Sequence, residues 1–240
     1  VILAIVAATL LLQSATPATP AAVDAAPADH FTKAITLVGP VDRVPFLRCE
    51  GSIETERGTS ALEVLWSARA PRRLIVRERL PDGSIAESGC DGTRGWMRVP
   101  GRAAPLEVEP SAVLAGNAGI VPPLMLMALA DRFPQRKPGT DETIGGVACR
   151  RLEMEDRDGV PGVAWFDAAT GRLRTFRVQA RRSQPATITT ITAWTTVGPL
   201  LVPSAFESIR DGATTRVRFT RFDTEPLDPA AFAPPTAGGK

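Results

Sequence analysis

Asp-Gly occurs four times in this 240-residue chain, at Asp82-Gly83, Asp91-Gly92, Asp158-Gly159 and Asp211-Gly212, each between short runs of mixed apolar and polar residues. A two-residue type I′ turn needs positive φ at both central positions, which Asp tolerates and Gly adopts freely, and its twist matches that of the strands it joins. Four such pairs predict an antiparallel sheet assembled mainly from neighbouring hairpins. Side-chain alternation agrees. From Ser60 to Ala68, Leu62, Val64, Trp66 and Ala68 share one face, while Glu63 and Ser67 share the other. Leu74, Val76 and Leu80 continue the pattern against Arg73, Arg77 and Arg79.

The same criteria predict strands over residues 46–56, 60–68, 85–90, 96–99, 147–154, 163–166, 173–180, 188–194, 202–209 and 214–222. With the 74–80 run these are eleven short runs, roughly ten strands in all. Between residues 163–166 and 173–180, Asp167 is placed to bond the loop backbone and Gly171 to take positive φ. Residues 24–38 predict a helix carrying Phe31, Ala34, Ile35 and Val38 at helical spacing, ended by Gly39-Pro40.

Over residues 110–133 the period changes, and Pro and Gly divide the segment into two short helices, for about three in all. The second is apolar on every face, running Pro122-Pro123-Leu124-Met125-Leu126-Met127-Ala128-Leu129-Ala130. On a protein surface such a helix leaves part of itself wet. It is either buried between the sheet and another element, or a lid whose inner side meets an apolar ligand through adaptable Met side chains.

Residues 1–12 are uninterrupted hydrophobics, followed by Gln13, Ser14 and a run of small residues and prolines. An apolar core before a small-residue cleavage zone is the pattern of a secretory leader, here over residues 1–22 and lacking its basic start and initiator Met. A membrane anchor is the alternative, but twelve helical residues span about 18 Å against the roughly 30 Å of a bilayer core. Residues 23–235 form a single domain, with 236–240 as a loose tail. A chain of that length buries about 70% of its unfolded surface, so it needs neither metal nor disulfide to supply a core.

The residues that could carry chemistry are few. Basic groups number 28 and acidic ones 26, a balance too even to attract nucleic acid. His30 is the only histidine, and no Gly-x-Ser-x-Gly elbow or second ligand accompanies it, so it reads as a solvated helix residue. Glu153, Glu155, Asp156 and Asp158 lack the spacing of a calcium loop and read as hairpin ends. Cys49, Cys90 and Cys149 form no Cys-x-x-Cys pair; one disulfide beside a lone thiol, or three buried free thiols, both suit this spacing. Arg72-Arg73, Arg150-Arg151, Arg181-Arg182, Arg216 and Arg218, mixed with carboxylates, read as the solvated face of a sheet or as a docking surface for an anionic partner or lipid headgroup. Trp66, Trp96, Trp165 and Trp194 read as core. No enzyme, cofactor or metal centre is expected.

Three local motifs stand in order along the chain: Asp91-Gly92-Thr93-Arg94-Gly95-Trp96, then Trp165-Phe166-Asp167-Ala168-Ala169-Thr170-Gly171-Arg172-Leu173, then Leu227-Asp228-Pro229-Ala230-Ala231-Phe232-Ala233-Pro234-Pro235. Together with the order helix, strands, two helices, strands, they resemble the LolA/LolB-like superfamily of periplasmic lipoprotein carriers and receptors. The resemblance covers about residues 24–235 and marks a divergent member. No single arginine matches the carrier's functional one, and no exposed apolar loop of the receptor type is evident. It implies an α+β, mainly β fold: a strongly curved antiparallel sheet, an incomplete barrel, with helices plugging its concave side around a cavity that accepts acyl chains.

The expected protein is therefore a monomeric, exported, periplasmic and non-enzymatic holder of a lipid or acylated protein, meeting membrane only transiently and nucleic acid not at all. Trp66 from the sheet and Leu124, Met125, Met127 and Leu129 from the lid are the expected ligand contacts. The rival expectation is an envelope interaction or sensor module with a filled core that binds a protein partner through its Arg-rich face. Cavity space beneath the second helix separates the two.

Overall fold

The computed structural model describes residues 30–181 and 183–235. The expected leader, the residues before His30, Arg182 and the tail from residue 236 lie outside them. Helix α1 (His30–Val38) precedes strands β1 (Phe46–Thr55), β2 (Gly58–Ser67), β3 (Arg73–Arg79), β4 (Ile85–Cys90), β5 (Gly95–Arg98) and β6 (Leu106–Val108). Helices α2 (Pro110–Asn117) and α3 (Met125–Arg132) follow. The chain then returns through β7 (Gln135–Pro138), β8 (Glu142–Ile144), β9 (Val147–Glu155), β10 (Pro161–Asp167), β11 (Leu173–Val178), β12 (Thr187–Val197), β13 (Leu200–Arg210) and β14 (Ala213–Asp223).

All fourteen strands belong to one antiparallel sheet in the order β6-β5-β4-β3-β2-β1-β14-β13-β12-β11-β10-β9-β7, with β8 paired to β9. The first and last strands thus meet in the middle. Each strand series runs outward from, or back to, that seam, and the α2–α3 insert connects the two outer edges. Because β6 and β7 do not pair, the sheet stays an open, curved half-barrel. Buried residues of the insert and of α1 join the inward residues of both series in one apolar core, including Phe31, Leu62, Val64, Leu126, Phe133 and Phe166.

Among the described residues fourteen strands replace the roughly ten expected, the unforeseen ones being β6, β7 and β8. Leu106-Glu107-Val108 is too short to show alternation, and Gln135-Arg136-Lys137-Pro138 has no apolar face because it is an edge strand bonded to β9 alone. β8 joins β9 through Gly145-Gly146, at φ 56 and 80°, a two-residue hairpin without Asp.

The Asp-Gly turns also differ from expectation. Only Asp211-Gly212 is a two-residue turn with both φ positive, at 51 and 78°, between the paired Arg210 and Ala213. At Asp82-Gly83 and Asp158-Gly159 only the glycine is left-handed, and it donates back three residues, to the Leu80 and Asp156 carbonyls. These are type I turns followed by an αL glycine; at the first, Pro81 imposes a negative φ that the primed turn forbids. The Asp167 to Gly171 loop is as expected: the Asp167 carboxylate accepts the Ala169 and Thr170 N–H groups at 2.9 and 2.8 Å, and Gly171 has φ 74°.

The convex face has order of its own. Leu65, Ile75 and Trp96 form a second small core, closed by Phe232 from a 3-10 turn at Pro229–Phe232. Asp228 caps that turn by accepting the Ala230 N–H at 2.8 Å, which accounts for the Leu-Asp-x-x-x-Phe end of the chain. Gly89 leaves room for the Trp96 indole, whose ring would lie 2.5 Å from an added Cβ. The indole N–H donates to Glu87 at 2.9 Å, and Arg77 bridges Glu87 and Glu63 at 2.7 Å each. Arg48 extends this ladder from Glu63 to Glu50. Arg151 and Arg216 are likewise paired with carboxylates, so much of the arginine on this face is already neutralised.

All three cysteines are buried and free. Burial pushes the Cys49 and Cys90 thiols up, which keeps them protonated at neutral pH.

Asp91 shows what its motif does. Burial pulls its carboxyl upward, yet the Arg94 and Thr93 N–H groups, the Thr93 hydroxyl and the Arg94 guanidinium together hold it down at about 2. An unfolded aspartate titrates near ~3.9, so this contribution is fully present above about pH 4 and is lost as pH falls through about 2. Asp91→Ala is expected to cost about 1–2 kcal/mol at pH 7 and to flatten that acid limb. Urea midpoints of both proteins between neutral and acid pH check it, and parallel acid limbs would sink the assignment.

Candidate functional site

Between the concave face and the helices lies a cavity of about 1660 Å³. That exceeds the roughly 300–1,000 Å³ typical of a drug-sized site. Its roof is α1, through Ile35 and Val38, and its far side is the α2–α3 insert from Leu114 to Leu129. The floor is sheet: Trp66 on β2, Phe176 and Val178 on β11, and Phe206 on β13.

The helices are held over this space by specific contacts. Phe31 meets Phe166 edge to face at 5.1 Å, and the Arg136 guanidinium stacks over Phe31 at 4.9 Å. Asn117, 2% exposed at the end of α2, accepts from the Ser88 hydroxyl at 3.1 Å and donates to the Val113 carbonyl at 2.8 Å. At the end of α3, Arg136 donates to the Phe133 carbonyl at 2.6 Å and also to that of Ala130, while Arg132 reaches Asp156 at 3.4 Å and the Gln179 carbonyl. The Ala130 and Phe133 carbonyls, which the helix end leaves open, are thereby satisfied.

This geometry explains the all-apolar helix. Leu126 is fully buried in the main core, whereas Leu124, Met127 and Ala128 are half-buried and line the cavity. Both sides of α3 are apolar because one packs and the other faces the cavity. All five residues expected at the site, Trp66, Leu124, Met125, Met127 and Leu129, are on the cavity wall. Trp66 and Met125 are almost wholly buried, at 2% and 1% exposure.

Sequence reasoning missed Phe176 and Phe206 on the floor and a polar stretch beyond them. Thr187, Thr189, Ser208, Arg210 and Thr215 also line the cavity. Strand register carries the signal for these positions, since Phe206, Ser208 and Arg210 alternate along one strand. His30 is half-buried, with its ring 5.8 Å from that of Phe166. Asp156 and Asp158 are hairpin residues, and Glu153 pairs with Lys137 and Arg151. Among the described residues no helix is long and apolar enough to cross a membrane.

An open antiparallel sheet wrapped round a helical insert, with an apolar cavity between them, defines a half-barrel; it is the LolA-like fold. The chain is similar to a DUF1329 family protein from Desulfovibrio piger, with 12% identity and TM-score 0.60 over 85% of this chain and 98% of that one. It is similar to a LolA superfamily protein from Nitrosomonas europaea, with 12% identity and TM-score 0.56 over 85% and 96% of the two chains. A domain named for outer membrane lipoprotein sorting, from Vibrio parahaemolyticus, aligns at 11% identity and TM-score 0.55, over 80% and 92%. At these identities the likeness is one of fold. No protein-family model and no curated protein matches the sequence.

Proposed function

We propose that this chain is an exported, non-catalytic carrier or holder of a lipid or of a protein-linked acyl chain, bound on the concave side of the half-barrel. The observation that carries the proposal is the cavity of about 1660 Å³ walled by Trp66, Leu124, Met125, Met127 and Leu129. Apolar burial supplies affinity at about 0.8 kcal/mol per methylene, and Met side chains adapt to chains of different shape. A leader over residues 1–22, a single domain over 23–235, a periplasmic site of action and transient contact with membrane belong to the same proposal. Against the rival module, the core beneath α3 is not filled, and many outward arginines are already engaged by carboxylates.

The test is native purification from a cell with an envelope, organic extraction and mass spectrometry, followed by titration of the stripped protein with a fluorescent fatty acid. A co-purifying lipid and saturable binding are expected. If nothing co-purifies and the fatty acid does not bind, the carrier role is wrong.

A further inference from the structure

At one end of the cavity the usual sidedness of a strand is reversed. Ile188 and Ile209, paired across β12 and β13, face outward at 41% and 39% exposure. Their neighbours Thr189 and Ser208, also paired, face inward, with hydroxyl oxygens 2.9 Å apart. Ser208 pairs in turn with Thr215 on β14, so three hydroxyl side chains form a row across three strands on the cavity wall. The preceding row, Ile191, Phe206 and Val217, is apolar and buried. The following row contains Arg210, half-buried, lining the cavity and without an ion-pair partner among the described residues. Nearby carboxylates are turned to other work or to solvent: Asp156 holds its own turn and Arg132, while Asp158 and Asp211 are exposed in turns.

A sheet that only needed a core would put the isoleucines in and the hydroxyls out. A half-buried guanidinium without a counter-charge also costs free energy that an anionic ligand recovers. We infer that the Thr189, Ser208 and Thr215 row with Arg210 is a headgroup subsite, and that the cavity takes an amphiphile with an anionic, oxygen-rich head, a carboxylate or phosphate. Its tail runs past Phe206 toward Met127 and Trp66. The inference rests on the carrier role proposed above and adds to it a ligand charge and an orientation.

The experiment compares a fluorescent fatty acid with its methyl ester on stripped, full-length protein at low salt, with inorganic phosphate as a third ligand. The acid is expected to bind about tenfold more tightly than the ester. Arg210→Gln is expected to remove that difference by weakening the acid alone, and Ser208→Ala to narrow it. Unchanged ester binding also reports that the variant is folded. Equal affinities of acid and ester in the unmodified protein, or equal losses of both in Arg210→Gln, overturn the headgroup subsite and leave the carrier standing. If neither lipid binds, both proposals fail. If inorganic phosphate binds through Arg210 and neither lipid does, the subsite is a plain anion site and the amphiphile is wrong.

Discussion

Gly51→Ala is expected to destabilise the protein by about 3 kcal/mol or more, the largest effect of any single methyl group added to the seam. Gly51 sits at the register shift where β1 meets β14. A Cβ there would stand 2.0 Å from the Arg218 carbonyl oxygen and 2.8 Å from the Phe219 Cα. Those atoms are backbone and cannot swing aside as a side chain would. Relief requires β1 and β14 to part, and this pairing is what joins the two strand series. Urea unfolding followed by circular dichroism measures the loss. Gly119→Ala is the control, since nothing lies within 4 Å of its added Cβ, and it should change stability by less than about 0.5 kcal/mol. Equal midpoints for Gly51→Ala and the unmodified protein would show that the seam is slack.

Ala128→Trp is expected to have the second large effect, on binding and not on folding. Ala128 is half-buried on the side of α3 that lines the cavity, so an indole there occupies ligand space without displacing packed neighbours. Keeping only four methylenes of an acyl chain out of the cavity forfeits about 3 kcal/mol, on the order of a hundredfold in affinity. Titration with a fluorescent fatty acid reads this, and the thermal midpoint should stay near that of the unmodified protein. Ile209→Trp, on the outward face at 39% exposure, is the matched control and should bind normally. Unchanged affinity in Ala128→Trp would place the ligand somewhere other than beneath α3.

The strands from β1 to β5 were legible because an inward apolar row alternates with an outward polar one, as Leu62, Val64 and Trp66 do against Glu63. The helical insert was legible from its change of period, and the apolar wall of the cavity from the surplus of apolar faces on residues 122–130. Where alternation is absent or reversed, the reading failed for a physical reason. The edge strand β7 has no face to bury. On β12 and β13 the outward isoleucines suggest the wrong side as the inner one, and the inward hydroxyls become meaningful only when register sets Thr189 beside Ser208 and Thr215. Asp91-Gly92 was recognised as a turn, but the support of Trp96 by Gly89 and Glu87 depends on partners brought together by the hairpin. Asp-Gly itself also proved ambiguous, because a preceding proline or an aspartate two residues earlier selects a different turn.

The meeting of β1 and β14 in mid-sheet has a kinetic corollary. Residues such as Glu54 and Arg216 are neighbours across that seam yet stand 162 positions apart in the sequence, so their contact closes a loop that takes in most of the domain. The two meanders can each form early from local hairpins, while the join between them is the slow step. Until it closes, β1 offers a bare row of backbone donors and acceptors to any passing strand. The vulnerable moment of this chain is therefore a nearly finished molecule awaiting its last strand, and a chaperone that protects it would have to cover the centre of the sheet.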